Sequence, residues 1–122
     1  MNTANNINNG TIVNLLLFGK STKLVRDQYK LNTHHVTVLI GCYIYVSFIK
    51  GSFTITNLRS FVGYYSLHRL RGYLDRLVSI DMLTFSGRKY TLTNQGYKTI
   101  QDISNNYDNV IYLFCNKFNI NL

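Results

Sequence analysis

The residues best suited to chemistry lie between Ser66 and Lys89. His68, Arg69, Arg71, Tyr73 and Arg76 crowd into one stretch with Leu67, Leu70, Leu74 and Leu77, and the leucines recur at steps of three and four. Such spacing marks one face of an amphipathic helix. With the leucines inward, a step of about 100° per residue turns His68, Arg69, Gly72, Tyr73 and Arg76 outward and leaves Arg71 and Asp75 at the flanks. A guanidinium fork grips two acceptor atoms at once, on a phosphate or on the edge of a planar base. A good bidentate pair with a guanine edge discriminates by ~1–3 kcal/mol. Phenol and imidazole groups add contacts to phosphates or base edges. Gly72 costs ~1 kcal/mol of helix propensity relative to Ala, and its bare backbone lets a partner approach closely. A few residues on, Ser86-Gly87-Arg88-Lys89 sets two adjacent cations at a tight turn. The shared chemistry is the gripping of an extended polyanion. The plainer alternative is a solvated amphipathic helix beside an ordinary polar turn.

Covalent and acid–base chemistry have no comparable constellation. The acidic residues are Asp27, Asp75, Asp81, Asp102 and Asp108, scattered and without a paired carboxylate. No phosphate-cradling Gly-Lys loop, nucleophile elbow or His-Glu-x-x-His is present. Cys42 and Cys115 lie far apart in apolar surroundings, and are read as buried free thiols of a reducing compartment. No CxxC spacing supports a structural zinc site. His34 and His35 are adjacent, so they point to different faces of a helix, which suits capping or surface roles better than a shared metal. The sequence therefore predicts no catalytic residues, no metal, no cofactor and a cytoplasmic location.

The bulk composition agrees. The chain has 122 residues, 46% hydrophobic and 15% charged, which suits one folded domain. Thirteen Lys and Arg against five acidic residues give a net charge of +8 and a pI near 9.7. That excess draws nucleic acid ahead of anionic membrane, although a cationic surface kept for solubility is the simpler explanation. The apolar run from Val36 to Ile49 is shorter than the ~20 residues needed to cross a bilayer and includes Thr37, Gly41 and Ser47. The first ten residues lack the basic start and apolar run of a signal peptide.

Periodicity supplies the elements that must position these groups. Residues 1–10 are read as a disordered polar tail, and residues 11–122 as a single winged-helix domain. A first helix is predicted from about Thr11 to Tyr29 and a second from Thr33 to Lys50, the latter capped by Asn32 or Thr33 and stopped at Gly51. A short third helix covers about Thr56 to Val62 and ends at Gly63. The fourth runs from a Ser66 cap to about Ile80, where Asp81 tolerates a left-handed ending. Two alternating runs about Ser86-Gly87 predict a β-hairpin. Thr93 then caps a long helix to about Phe118, with an apolar stripe through Tyr97, Ile100, Ile103, Tyr107, Val110, Ile111, Phe114 and Phe118. The third and fourth helices, joined by Gly63-Tyr64-Tyr65, have helix-turn-helix spacing. The fold class expected is mainly α with a small β-hairpin. It is a winged helix-turn-helix, with the motif at about 54–80, the wing at about 82–92 and the last helix at about 93–118.

From about Leu31 to Ile103 the chain resembles the MarR-type winged-helix transcriptional regulators. The likeness rests on Ile55-Thr56-Asn57-Leu58, on Ser66 opening the recognition helix, on Asp75-Arg76-Leu77 followed by Asp81-Met82-Leu83, and on Leu92-Thr93-Asn94-Gln95-Gly96. The resemblance implies a homodimer built by the first and last helices, with two recognition helices and two wings on duplex DNA. Asp81 stands where that family has glycine, the wing is short, and the family's Asp-x-Arg before the wing tip is absent. The wider winged-helix group, including phage and mobile-element regulators, shares the remaining pattern.

On this reading Ser66, His68, Arg69, Arg71, Gly72, Tyr73, Arg76, Arg88 and Lys89 meet double-stranded DNA. Ile12, Leu15, Leu16, Tyr107, Ile111, Phe114 and Phe118 pair two copies, because the long apolar stripe outruns what so small a domain can cover alone. Packing of the last helix against the first within one chain is the other use of that stripe. Tyr43, Tyr45 and Phe48 are candidates to line a small-molecule effector pocket, against the commoner role of aromatic core. The competing functional reading is a winged-helix protein–protein interaction module of a phage or mobile element. RNA binding ranks third, since no exposed aromatic sheet is foreseen.

Overall fold

The computed structural model describes residues 6–122. Its elements are α1 (Asn9–Ser21), α2 (Lys23–Tyr29), α3 (Thr33–Phe48), α4 (Ile55–Val62), α5 (Leu67–Ser79), β1 (Leu83–Ser86), β2 (Lys89–Leu92) and α6 (Asn94–Phe118). The chain is thus mainly helical, with one two-stranded antiparallel hairpin. No helix among the described residues is long and apolar enough to cross a membrane.

Caps set most of the boundaries. Thr54 accepts from the Asn57 N–H while the Asn57 side chain accepts from the Thr54 N–H, a reciprocal box that starts α4. Asn32 and His35 make the same exchange at the start of α3. Gly63 ends α4 in the left-handed conformation at φ 67°, where a side chain would be strained. Ser66 caps α5 through the Arg69 N–H. Asp81 takes φ 64° just beyond α5, the left-handed ending expected of it. Thr93 caps α6 by accepting from the Gly96 N–H, and its own hydroxyl donates to the Asp81 carbonyl.

The hairpin pairs Leu83 with Leu92, Thr84 with Thr91, Phe85 with Tyr90 and Ser86 with Lys89. Gly87 and Arg88 form its two-residue turn at φ 58° and 64°, the double left-handed geometry that matches strand twist. Phe53 adds a one-residue third strand, exchanging both backbone hydrogen bonds with Tyr90 at 3.0 and 2.8 Å.

The main core lies where α3, α4, α5 and the hairpin meet. Leu39, Cys42, Phe53, Leu58, Leu70, Leu74, Leu77, Met82 and Leu83 are all essentially inaccessible to solvent. Each buried leucine contributes ~1.5–3 kcal/mol relative to exposure. Gly41 lets α3 and α4 approach closely: a Cβ there would sit 2.8 Å from a Val62 methyl. A smaller cluster of Val25, Val36 and Ile103 ties α2 and α3 to α6.

Several expectations are corrected. Of the polar tail read over residues 1–10, residues 1–5 lie outside the described residues, but Asn8 caps α1 and the helix begins at Asn9. The single helix from Thr11 to Tyr29 is two helices. At the junction the Ser21 and Thr22 hydroxyls donate to the Phe18 carbonyl and Arg26 reaches back to the Gly19 carbonyl, so side chains compete with the helical ladder. Leu67, read as inward, sits in the first turn of α5 and is exposed, because the core begins only at Leu70. Cys42 is buried as expected, whereas Cys115 is only half-buried; both thiols are free.

Candidate nucleic-acid interface

The turn between α4 and α5 is braced from both sides. Arg59, at the end of α4, donates through Nε to the Tyr65 carbonyl at 3.3 Å, and the Tyr65 ring is buried. This fixes the angle at which α5 leaves the core. With Leu70, Leu74 and Leu77 buried, His68, Arg69, Arg71 and Gly72 stand exposed on the opposite side. A Cβ on Gly72 would meet no atom within 4 Å. The chain's own packing therefore does not require glycine here.

Two different environments flank the exposed strip. On one side Arg69 lies against the start of α3. Its Nη2 donates to the Tyr73 hydroxyl at 3.0 Å, within a group of rings from His34, Tyr65 and Tyr73. On the other side Arg71 faces the hairpin across a notch of about 510 Å³ lined by Thr54, Ile55, Thr56, Arg71, Phe85, Arg88 and Tyr90. The hairpin thus sets Arg88 on the rim of the same notch as Arg71, while Lys89 is exposed opposite Ser86. Arg69 and Arg88 stand on opposite flanks of α5 rather than side by side.

The electrostatics favour an external anion. The one ion pair among the described residues is Lys23–Asp27, far from α5 in sequence. Arg69, Arg71, Arg88 and Lys89 therefore carry no carboxylate partner. The His35 imidazole is held below the ordinary histidine range, first by burial and then by Arg76 and His34. Burial raises the Tyr65 hydroxyl, as do the neighbouring Tyr73 and Tyr64. Burial also pushes the Cys42 thiol far up, out of reach of thiolate chemistry at neutral pH.

Two of the residues expected to face outward have other partners. Arg76 is half-buried, and its Nη2 donates to the Tyr29 carbonyl at 2.8 Å. It is a strut between α5 and the end of α2, not a free cation on the outer face. Tyr73 is half-buried, with its ring stacked on His34 and its hydroxyl accepting from Arg69. Ser66 is spent on capping. Sequence reasoning passed over Tyr64, which is 72% exposed in the turn ahead of α5, and the Thr54–Thr56 edge of the notch. The paired tyrosines after Gly63 were the available signal.

The terminal helices pack on each other within the chain. Leu17 is buried, and the Tyr107 hydroxyl donates to the Asn14 side chain. Tyr107, Ile111 and Phe114 are partly covered by this packing. Ile12, Leu15, Leu16 and Phe118 stay exposed, together with Tyr112 and Leu113, which the stripe had not included. The three aromatics considered for an effector pocket do not share one. Tyr45 is core between Phe53 and Phe61, and Phe48 is 76% exposed. Tyr43 lines two cavities, one of about 430 Å³ beside Tyr97 and Ile100 of α6 and an apolar one of about 300 Å³ between α1, α3 and α6.

Compared with protein-family models the chain matches none, and compared with curated proteins it has no match.

Proposed function

We propose that this chain is a winged helix-turn-helix protein that binds double-stranded DNA sequence-specifically as a homodimer and regulates transcription, in the manner of the MarR-type regulators. The observation that carries the reading is the exposed strip of α5. His68 and Gly72 lie at its centre, unpaired Arg69 and Arg71 at its edges, and Arg88 of the hairpin lines the same notch as Arg71. In this reading α4 and α5 are the helix-turn-helix, and β1, β2 and the Phe53 bridge are the wing. The strip enters the major groove with Arg69 at base edges, and Gly72 admits the duplex closely. Arg71, Arg88 and Lys89 neutralise phosphates, which adds affinity without sequence preference. Tyr73 and Arg76 support the surface from behind.

Leu15 at 70% and Leu16 at 67% exposure, beside Leu113 and Phe118, support pairing of two copies through α1 and α6. Selection of bound sites from random duplexes tests the whole reading. It is expected to enrich an inverted repeat with half-sites one helical turn, ~34 Å, or a multiple apart. Recovery of no preferred sequence by a protein that binds DNA would reduce the function to non-specific binding.

The exposed apolar face of α1 and α6, together with the unpaired cations of α5 and the hairpin, favours a second reading, a module that docks an acidic protein partner. That reading gains if the protein has no duplex affinity at low ionic strength.

A further inference from the structure

Arg69 is exposed, yet its side chain is held. Besides the bond to the Tyr73 hydroxyl, its guanidinium carbon lies 5.5 Å from the Tyr65 ring centroid and 5.9 Å from that of Tyr73. Both rings are fixed in turn. Tyr73 stacks on His34 with centroids 5.7 Å apart and an interplanar angle of 18°, and meets His35 edge-on at 5.1 Å. Tyr65 meets Tyr73 at 5.3 Å, and its hydroxyl pairs with His34 Nδ1 at 3.0 Å. His34 and His35 belong to the first turn of α3, the helix that carries much of the core, so the support behind Arg69 reaches the rigid part of the fold.

An exposed arginine samples many rotamers and loses that freedom on gripping a base edge. One already held loses less, and the direction of its fork is set beforehand. The Tyr73 hydroxyl occupies a single N–H of the guanidinium and leaves the others for a partner. Resting on the reading that α5 enters the major groove, we propose that Tyr73 is a positioning residue. Backed by Tyr65 and His34, it holds Arg69 oriented for a two-pronged contact with a guanine edge, and so sets base discrimination without touching DNA itself.

Tyr73→Phe keeps the ring and its stacking and removes only the hydroxyl. Affinity is measured for a duplex selected by the wild-type protein and for a random duplex, each across a salt series. The expected result is about a fivefold loss on the selected duplex, the net worth of one ordinary hydrogen bond, because at this exposed site water takes over much of the bond to the guanidinium. Random-duplex affinity stays within about twofold and the salt slope is unchanged, because no phosphate contact is lost. In an Arg69→Ala background, Tyr73→Phe has no further effect on the selected duplex, since its contribution runs through Arg69. Arg69→Lys, which keeps the charge and loses the fork, reproduces the selective loss and serves if Tyr73→Phe lowers stability.

The inference is overturned, with DNA recognition left standing, in either of two cases. One is that Tyr73→Phe leaves the selected-to-random ratio at the wild-type value. The other is that its effect persists without Arg69. A wild-type protein without duplex affinity at low salt removes both the inference and the reading on which it rests.

Discussion

Arg76→Ala separates a structural arginine from a reading one. The guanidinium donates to the Tyr29 carbonyl at 2.8 Å, across a gap of 47 residues in the chain. Tyr29 is the last residue of α2, and its carbonyl is among those a helix end leaves without a partner in the ladder. A cation there also meets the negative end of the helix dipole. Removing a hydrogen bond to a charged group costs about 1.5–3 kcal/mol. The site is half-buried and water can take over part of the bond, so the expected loss is about 1–2 kcal/mol. For a chain of this length that lowers Tm by about 3–8 °C. The assay is thermal unfolding followed by circular dichroism, paired with duplex titration well below either transition. The selected-to-random affinity ratio is expected to stay at its wild-type value, because the side chain points at protein. An unchanged Tm together with a tenfold loss of specific affinity would refute the reasoning and return Arg76 to the outer face.

Three further outcomes follow from particular contacts. Gly96→Ala would set a Cβ 2.4 Å from the Met82 carbonyl oxygen, so α6 must shift off the hairpin; a loss of about 1–3 kcal/mol is expected in urea unfolding. Arg88→Asn suits the left-handed turn position better than arginine, so it should raise Tm by a few degrees while flattening the salt slope of random-duplex binding by about one unit. His35 accepts the Asn32 N–H through Nδ1 and titrates below 6.5 in the folded protein, so the folded state favours the neutral ring. Its contribution is complete above pH 6.5 and is lost as the pH falls through the lowered value. Unfolding measured from pH 7.5 downward should show that decline, and His35→Gln, whose amide can still cap, should flatten it.

Local signals carried most of the fold. The leucine spacing and Ser66 cap foretold α5, Thr93 foretold α6 as far as Phe118, and Ser86-Gly87 foretold the hairpin. These are short-range patterns with a direct physical cause, so a sequence displays them. What it hid depends on distant partners. Nothing near Arg76 announces a carbonyl on α2, and the wheel that turned it outward knows only its own helix. Phe53 joins the hairpin as a single residue, too short for any alternation to show. The break at Thr22 comes from hydroxyls and Arg26 claiming main-chain carbonyls, in a stretch whose apolar spacing runs on unbroken. In the candidate site, the exposure of Arg69, Arg71 and Gly72 was legible from the period of α5. The rings that hold Arg69 and the notch that joins Arg71 to Arg88 appear only once α3 and the hairpin are folded against α5.

The most direct measurement is the titration of a fluorescent random duplex of about three helical turns with the protein at salt concentrations from 50 to 200 mM. If the strip on α5 and the basic turn grip DNA, binding is clear at the low end. Log affinity then falls linearly with log salt, with a slope near −0.9 for each phosphate neutralised and several phosphates in total. No binding at 50 mM, or binding indifferent to salt, would contradict a function built on these unpaired arginines.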